Sequence, residues 1–165
     1  MDLTDISGNG CAGYRARRHP PAPVDISHIG RYAIADYWEP IAAPANGRIV
    51  LQPDEFHILA TRERVAIPHD LAAEMIAYDT VVGEFRVHYA GFFDPGFGIP
   101  GGGRIVLEVR SHEVAFMLEH GQTIGRVVVE PLLEPTSRPY GGTIGSSYQG
   151  QGLMLGKHFM RHPGS

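Results

Sequence analysis

Hydrophobic and polar positions along the chain follow period two far more often than period 3.6, and this predicts strands. RIVLEVR (104–110) sets Ile105, Leu107 and Val109 on one face and Arg104, Val106, Glu108 and Arg110 on the other. EFRVHYAGFF (84–93) sets Phe85, Val87 and Tyr89 against Arg86, His88 and Ala90. GRIVL from Gly47, and EFHILATRERVAIP after a Pro53-Asp54 turn, predict two more strands. EVAFMLEHGQ runs into a glycine turn, and TIGRVVVEPL (123–132) predicts the last strand. DLAAEMIAYD (70–79) is the one helical stretch, with Asp70 as its N-cap. Asp94-Pro95-Gly96-Phe97 is a turn. Short strands separated by regular turns predict a mainly β domain, a barrel or sandwich.

Residues 1–46 break the pattern. Gly8, Gly10, Gly13 and the run His19-Pro20-Pro21-Ala22-Pro23 predict a loop-rich, solvated N-terminal arm, with a small basic cluster at Arg15, Arg17 and Arg18. The β core runs over 47–135, and a polar, glycine-rich, mobile tail over 136–165.

Composition narrows the functions. At 165 residues the chain fits one domain, and a 43% hydrophobic share fills a core. A net charge of −4 disfavours non-specific nucleic-acid binding, which needs a basic face, but leaves a single nucleotide possible. The lone Cys11 makes no intrachain disulfide, and no apolar run reaches membrane-spanning length. With no signal-like start, a cytoplasmic protein is expected.

Several motifs fail on context. Gly8/Gly10/Gly13 and Gly96/Gly98/Gly101 both fit G-x-G-x-x-G, but neither lies between a strand and a helix, as a dinucleotide fingerprint requires. His158 and His162 have i, i+4 spacing but no acidic third ligand nearby, so no metal site is expected. The H-x-E and P-C-x-x-C pair of zinc nucleobase deaminases is absent, as are a P-loop and a G-x-S-x-G elbow.

The block VHYAGFFDPGFGIPGGGRIVLEV (87–109) survives: a strand, a tight turn, and a strand with a lone carboxylate on its polar face. Its A-G-h-h-D-x-x-aromatic-G turn followed by h-V-L-E resembles the nucleoside-binding hairpin of the dUTPase-like superfamily, and the dCTP deaminase branch in particular. GQTIGRVVVEPL followed by RPYGGTIGSSYQGQG resembles the last barrel strand and the nucleotide-closing segment of that family. Residues 60–98 are most similar to the C-terminal half of the two-domain bacterial form.

The resemblance implies a dUTPase-like distorted β-barrel or jelly roll with one short helix. It also implies hydrolytic deamination of dCTP to dUTP and ammonia without a protein-bound metal, Mg²⁺ arriving with the triphosphate. Glu108 becomes the general base and then acid, a role suited by partial burial that raises its pKa. Asp94 would lie near the deoxyribose 3′-hydroxyl, and the backbones of Ala90, Val106 and Leu107 near the base and its water. Phe97 stands where relatives carry Trp or Tyr. Tyr140, Tyr148 and Gln151 belong to the closing tail, and Ser147 replaces a phosphate-binding Lys.

One element departs from the family. Single-domain deaminases carry Ser-Ser-x-x-Arg-x-Gly before the 84–93 strand; here Ala77, Tyr78, Asp79, Thr80 and Val81 precede the matching Gly83. The resemblance therefore implies a division of labour in a homotrimer or a pseudo-trimeric assembly, with a complementary N-terminal-half domain supplying Ser and Arg. A non-catalytic nucleotide-binding or assembly domain and a dUTP diphosphatase using Asp94 remain alternatives.

Overall fold

The structure, a computed structural model, describes residues 1–6, 8–77, 85–88, 91–142, 146, 148–150 and 152–160. Among them are ten strands and one four-residue helix. In chain order they are β1 (Cys11–Ala16), α1 (Ile34–Tyr37), β2 (Trp38–Ala42), β3 (Arg48–Leu51), β4 (Phe56–Val65), β5 (Leu71–Ala77), β6 (Phe85–His88), β7 (Phe92–Phe93), β8 (Gly103–Ser111), β9 (Phe116–Glu119) and β10 (Gly125–Pro131). The fold is mainly β, as the alternation predicted.

The largest sheet has the order β2-β1-β4-β8-β6; the others are β10-β5-β7 and the pair β3-β9. β4 and β8 form its spine, antiparallel, with Leu59 opposite Leu107 and Ile58 opposite Glu108. One face of this spine buries Leu59, Leu107 and Val109 with Leu51, Leu118 and Phe97. The other face buries Ile58 and Ala60 under Tyr14, Tyr37, Trp38 and Leu153. Apolar surface on both sides explains why the first half of β4 reads as a continuous buried run rather than an alternation.

Three expectations are corrected. The 70–79 helix is strand β5. Ala, Leu, Glu and Met are strong helix formers, but β5 is hydrogen-bonded on both edges, by β10 and by β7. Ala73 and Met75 point inward and Glu74 outward, a period of two that tertiary pairing imposes over local propensity. The only helix among the described residues is α1, inside the segment expected to be irregular.

Residues 1–46 are not a solvated arm throughout: 17–31 are loop-like and largely exposed, as expected, but the segments on either side are built into the fold. β1 lies between β2 and β4, Leu3 sits in the inner core, and Asp2 forms a bridge with Ala60. Burial opposes ionisation of Asp2, but hydrogen bonds from Thr4 and Arg104 outweigh it and hold the carboxyl below its usual range. Nor does 84–93 form one strand: β6 pairs with β8, whereas β7 pairs with β5 in another sheet. β6 and β7 thus belong to different sheets.

The stretch 157–160 is anchored. Phe159 packs among Tyr32, Tyr37 and Trp38, with ring centroids 5.6–6.4 Å away. Backbone bonds from Gly30 and Arg31 to the carbonyls of Lys157 and His158 fix this stretch. His158, expected on a mobile tail, is within it; its expected partner His162 lies outside the described residues. Among the described residues no helix is long and apolar enough to cross a membrane.

Candidate active site

β8 carries the site. Its alternation sends Ile105, Leu107 and Val109 into the core and leaves Glu108 and Arg110 exposed on the opposite face. The two arginines that spacing allows as partners of Glu108 are engaged elsewhere. Arg104 donates to Asp2 at 2.7 Å and to the Thr61 carbonyl at 2.6 Å, and Arg110 lies over the Phe56 ring.

Next to β8 lies the turn after β7. Phe97 N–H donates to the Asp94 carbonyl, and the Ile67 backbone grips both Gly96 and Phe97. Gly98 has φ +74°, and a Cβ there would come within 2.1 Å of the Val65 carbonyl oxygen, so the turn lies against β4 only because that atom is missing. The turn places Asp94 at the surface and Phe97 inside, stacked between Phe93 (5.3 Å) and Tyr140 (6.0 Å).

The third part is the chain after β10. Tyr140 N–H donates to the Pro95 carbonyl at 2.8 Å, and the Tyr140 hydroxyl accepts from Tyr148 N–H at 3.3 Å. Burial raises the Tyr140 phenol above its usual pKa, keeping it neutral.

These parts enclose an open cavity of about 360 Å³. Glu108, Asp94, Phe97, Val106, Tyr140 and Tyr148 all line it, six of the ten residues singled out from the sequence. Leu107 does not: its side chain is fully buried on the other face of β8, which leaves only its main chain for a role at the site. Ala90, Ser147 and Gln151 lie outside the described residues, as do positions 78–83 of the departing phosphate element. Glu108 is exposed in this single chain, not partly buried as its assigned role suggested.

Sequence reasoning missed seven of the lining residues, among them Ile58, Phe92, Met154 and Leu155. Ile58 is the cross-strand neighbour of Glu108, so the β4–β8 register alone would have found it. Phe92, 70% exposed beside Asp94, is an apolar side chain left at the mouth. Met154 and Leu155 come from the stretch that leads into Phe159. Among the described residues no group of three or more His, Cys, Asp or Glu side chains could hold a metal ion.

Residues 1–159 match the family model described as "2'-deoxycytidine 5'-triphosphate deaminase (DCD), C-terminal domain". The chain belongs to this family. Similar members include the dCTP deaminase of Haloarcula marismortui, 37% identical over 122 residues, which cover 72% of this chain and 60% of that protein. The "dCTP deaminase, dUMP-forming" of Mycobacterium avium is 34% identical over 130 residues, 76% of this chain and 66% of its own. A crystal structure of the 2'-deoxycytidine 5'-triphosphate deaminase from Agrobacterium tumefaciens superposes with a TM-score of 0.76 at 53% identity, covering 82% of this chain and 41% of that one. The mainly β, dUTPase-like fold expected from the resemblance is the fold of this dCTP deaminase domain. The domain spans 60–66% of those two curated relatives and less than half of the crystallised one.

Proposed function

We propose that this domain supplies the acid–base carboxylate and the nucleoside-binding wall of a hydrolytic dCTP deaminase, converting dCTP and water to dUTP and ammonia. The carrying observation is the convergence of Glu108, Asp94, Phe97, Val106, Tyr140 and Tyr148 on one cavity from three separate stretches of chain. Glu108 takes a proton from water as its oxygen attacks C4 of the cytosine. That proton passes to the ring nitrogen N3 and stays there; the C4 hydroxyl proton is then carried by Glu108 to the amino group, the C4–N bond breaks, and ammonia leaves a C4 carbonyl. Asp94 accepts from the deoxyribose hydroxyl, and Phe97 with Tyr140 forms the apolar wall. Mg²⁺ enters with the triphosphate as part of the substrate, in the cytoplasm where nucleotide pools lie.

In this reading the phosphate-binding Ser and Arg come from a complementary domain in a homotrimer or pseudo-trimer. The absence of that motif from 77–83 supports this, as does the exposure of Glu108. So does β10, an edge strand of its sheet whose Val127, Val128 and Val129 are each more than a third exposed. The test combines this chain with a domain bearing Ser-Ser-x-x-Arg and measures ammonia from dCTP. Activity that depends on both components and on Glu108 supports the reading; activity untouched by Glu108→Gln overturns it.

The dUMP-forming dCTP deaminase of Mycobacterium avium favours a second outcome at the same cavity. There, pyrophosphate would also be hydrolysed away. Chromatography of the product as dUTP or dUMP separates the two.

A further inference from the structure

Gln149 lies outside every role assigned above, yet its side chain makes three hydrogen bonds to one turn. Its Oε1 accepts from Gly98 N–H at 3.2 Å, and its Nε2 donates to the Gly96 carbonyl at 3.1 Å and to the Ile99 carbonyl. A primary amide has two donors and an acceptor, and the turn presents two carbonyls and one N–H. The match is one-to-one and admits one orientation of the amide. The site is built to receive it. Gly141, at φ +79°, leaves the space that a Cβ would take at 2.5 Å from Gln149 Cδ. The turn meets only part of its own need: Ile99 N–H donates to the Gly96 carbonyl at 3.2 Å, whereas the Gly98 N–H and the Ile99 carbonyl are met by Gln149.

We propose that Gln149 is a positioning residue that welds the segment after β10 to the Asp94–Phe97 turn, so that both walls of the nucleotide cavity order together. Tyr148, its neighbour, donates to the Tyr140 hydroxyl, and Tyr140 N–H donates to Pro95 at the start of the turn. Tyr140 and Gln149 therefore grip the turn at both ends. Two walls held by one set of bonds are thermodynamically linked: whatever orders one favours the other, and a nucleotide touching both gains from each. This rests on the nucleotide reading above only for the identity of the ligand.

The test has two readouts on the full chain. The first is amide hydrogen exchange at Gly98, whose N–H is held by Gln149, with the core Leu107 amide as a folding control. The second is dCTP turnover in combination with the complementary domain. In Gln149→Ala, Gly98 exchange is expected to rise at least tenfold with Leu107 unchanged. KM for dCTP should rise about tenfold with kcat within threefold, since Glu108 stands on β8 rather than on the turn. Gln149→Glu keeps size and the acceptor but loses both donors, and should fail to rescue KM. Gly98 exchange within twofold of the parent overturns the proposal, as does faster exchange with unchanged KM or full rescue by Gln149→Glu. If the parent neither binds nor turns over dCTP, the deaminase reading falls, and Gly98 exchange alone then decides the weld.

Discussion

The two faces of β8 are made from one run of backbone and do opposite work. Ile105, Leu107 and Val109 are buried among the leucines of β3, β4 and β9. Val106 and Glu108, one residue out of phase, look into the cavity. The inner face fixes where the strand lies, and the period of two then delivers Glu108 to the outer face with no contact of its own needed to hold its backbone. On the proposed reading, stability and chemistry are thus separable by substitution at adjacent positions, a separation that loops rarely allow.

The sharpest break is Glu108→Gln. With the complementary domain present, ammonia release should fall about 10²- to 10⁴-fold, the range of a lost general acid–base group. Stability should shift by no more than about 0.5 kcal/mol, because the side chain is exposed. Next door, Leu107→Ala should cost about 2–5 kcal/mol in urea unfolding, while turnover per folded molecule persists. A Leu107→Ala variant that stays stable but loses turnover would dissolve the distinction between the faces. At the far end of the outer face, Asp2→Ala strips Arg104 of its carboxylate and should cost about 1–3 kcal/mol. The Asp2 contribution is complete above the unfolded carboxyl value, about pH 3.9, and is lost as pH falls through the lower folded value.

The smallest effect tests the inner face by pH. His57, opposite Val109 and only 3% exposed, is neutral because burial lowers its pKa; Glu55, 3.6 Å away, does not reverse this. The unfolded chain therefore takes up this proton first. Stability is full above about pH 6.5 and declines on acidification, by less than about 1 kcal/mol at pH 6. Urea titrations at pH 8 and pH 6 should show that decline in the parent and not in His57→Phe.

What could be read in advance followed the physics of each segment. The faces of β8 and the Asp94–Phe97 turn were legible because alternation and turn chemistry are local. Glu108, Asp94, Phe97, Val106, Tyr140 and Tyr148 were found by resemblance, and the fold brings them together. β5 was misread because LAAEMIA favours a helix locally, and only its two pairing partners make it a strand. β1 and β2 were hidden among glycines and prolines, which signal loops on average but also occur in short strands such as CAGYRA and WEPIA. Gln149 and Ile58 depend on neighbours 50 residues away in sequence, and no local pattern encodes such distances.

The caging of Phe159 by Tyr32, Tyr37 and Trp38 has a consequence for the order of assembly. Met154 and Leu155 become a wall of the cavity only when the stretch ending at Phe159 has returned across more than 120 residues to meet the early segment. Such a closure is slow, since its loop entropy must be met before any contact rewards it. During synthesis the β4–β8 spine can pair once residue 111 has been made, whereas the cavity waits for residues 154–156. Contact order thus lets the strand that bears the carboxylate form before the pocket around it.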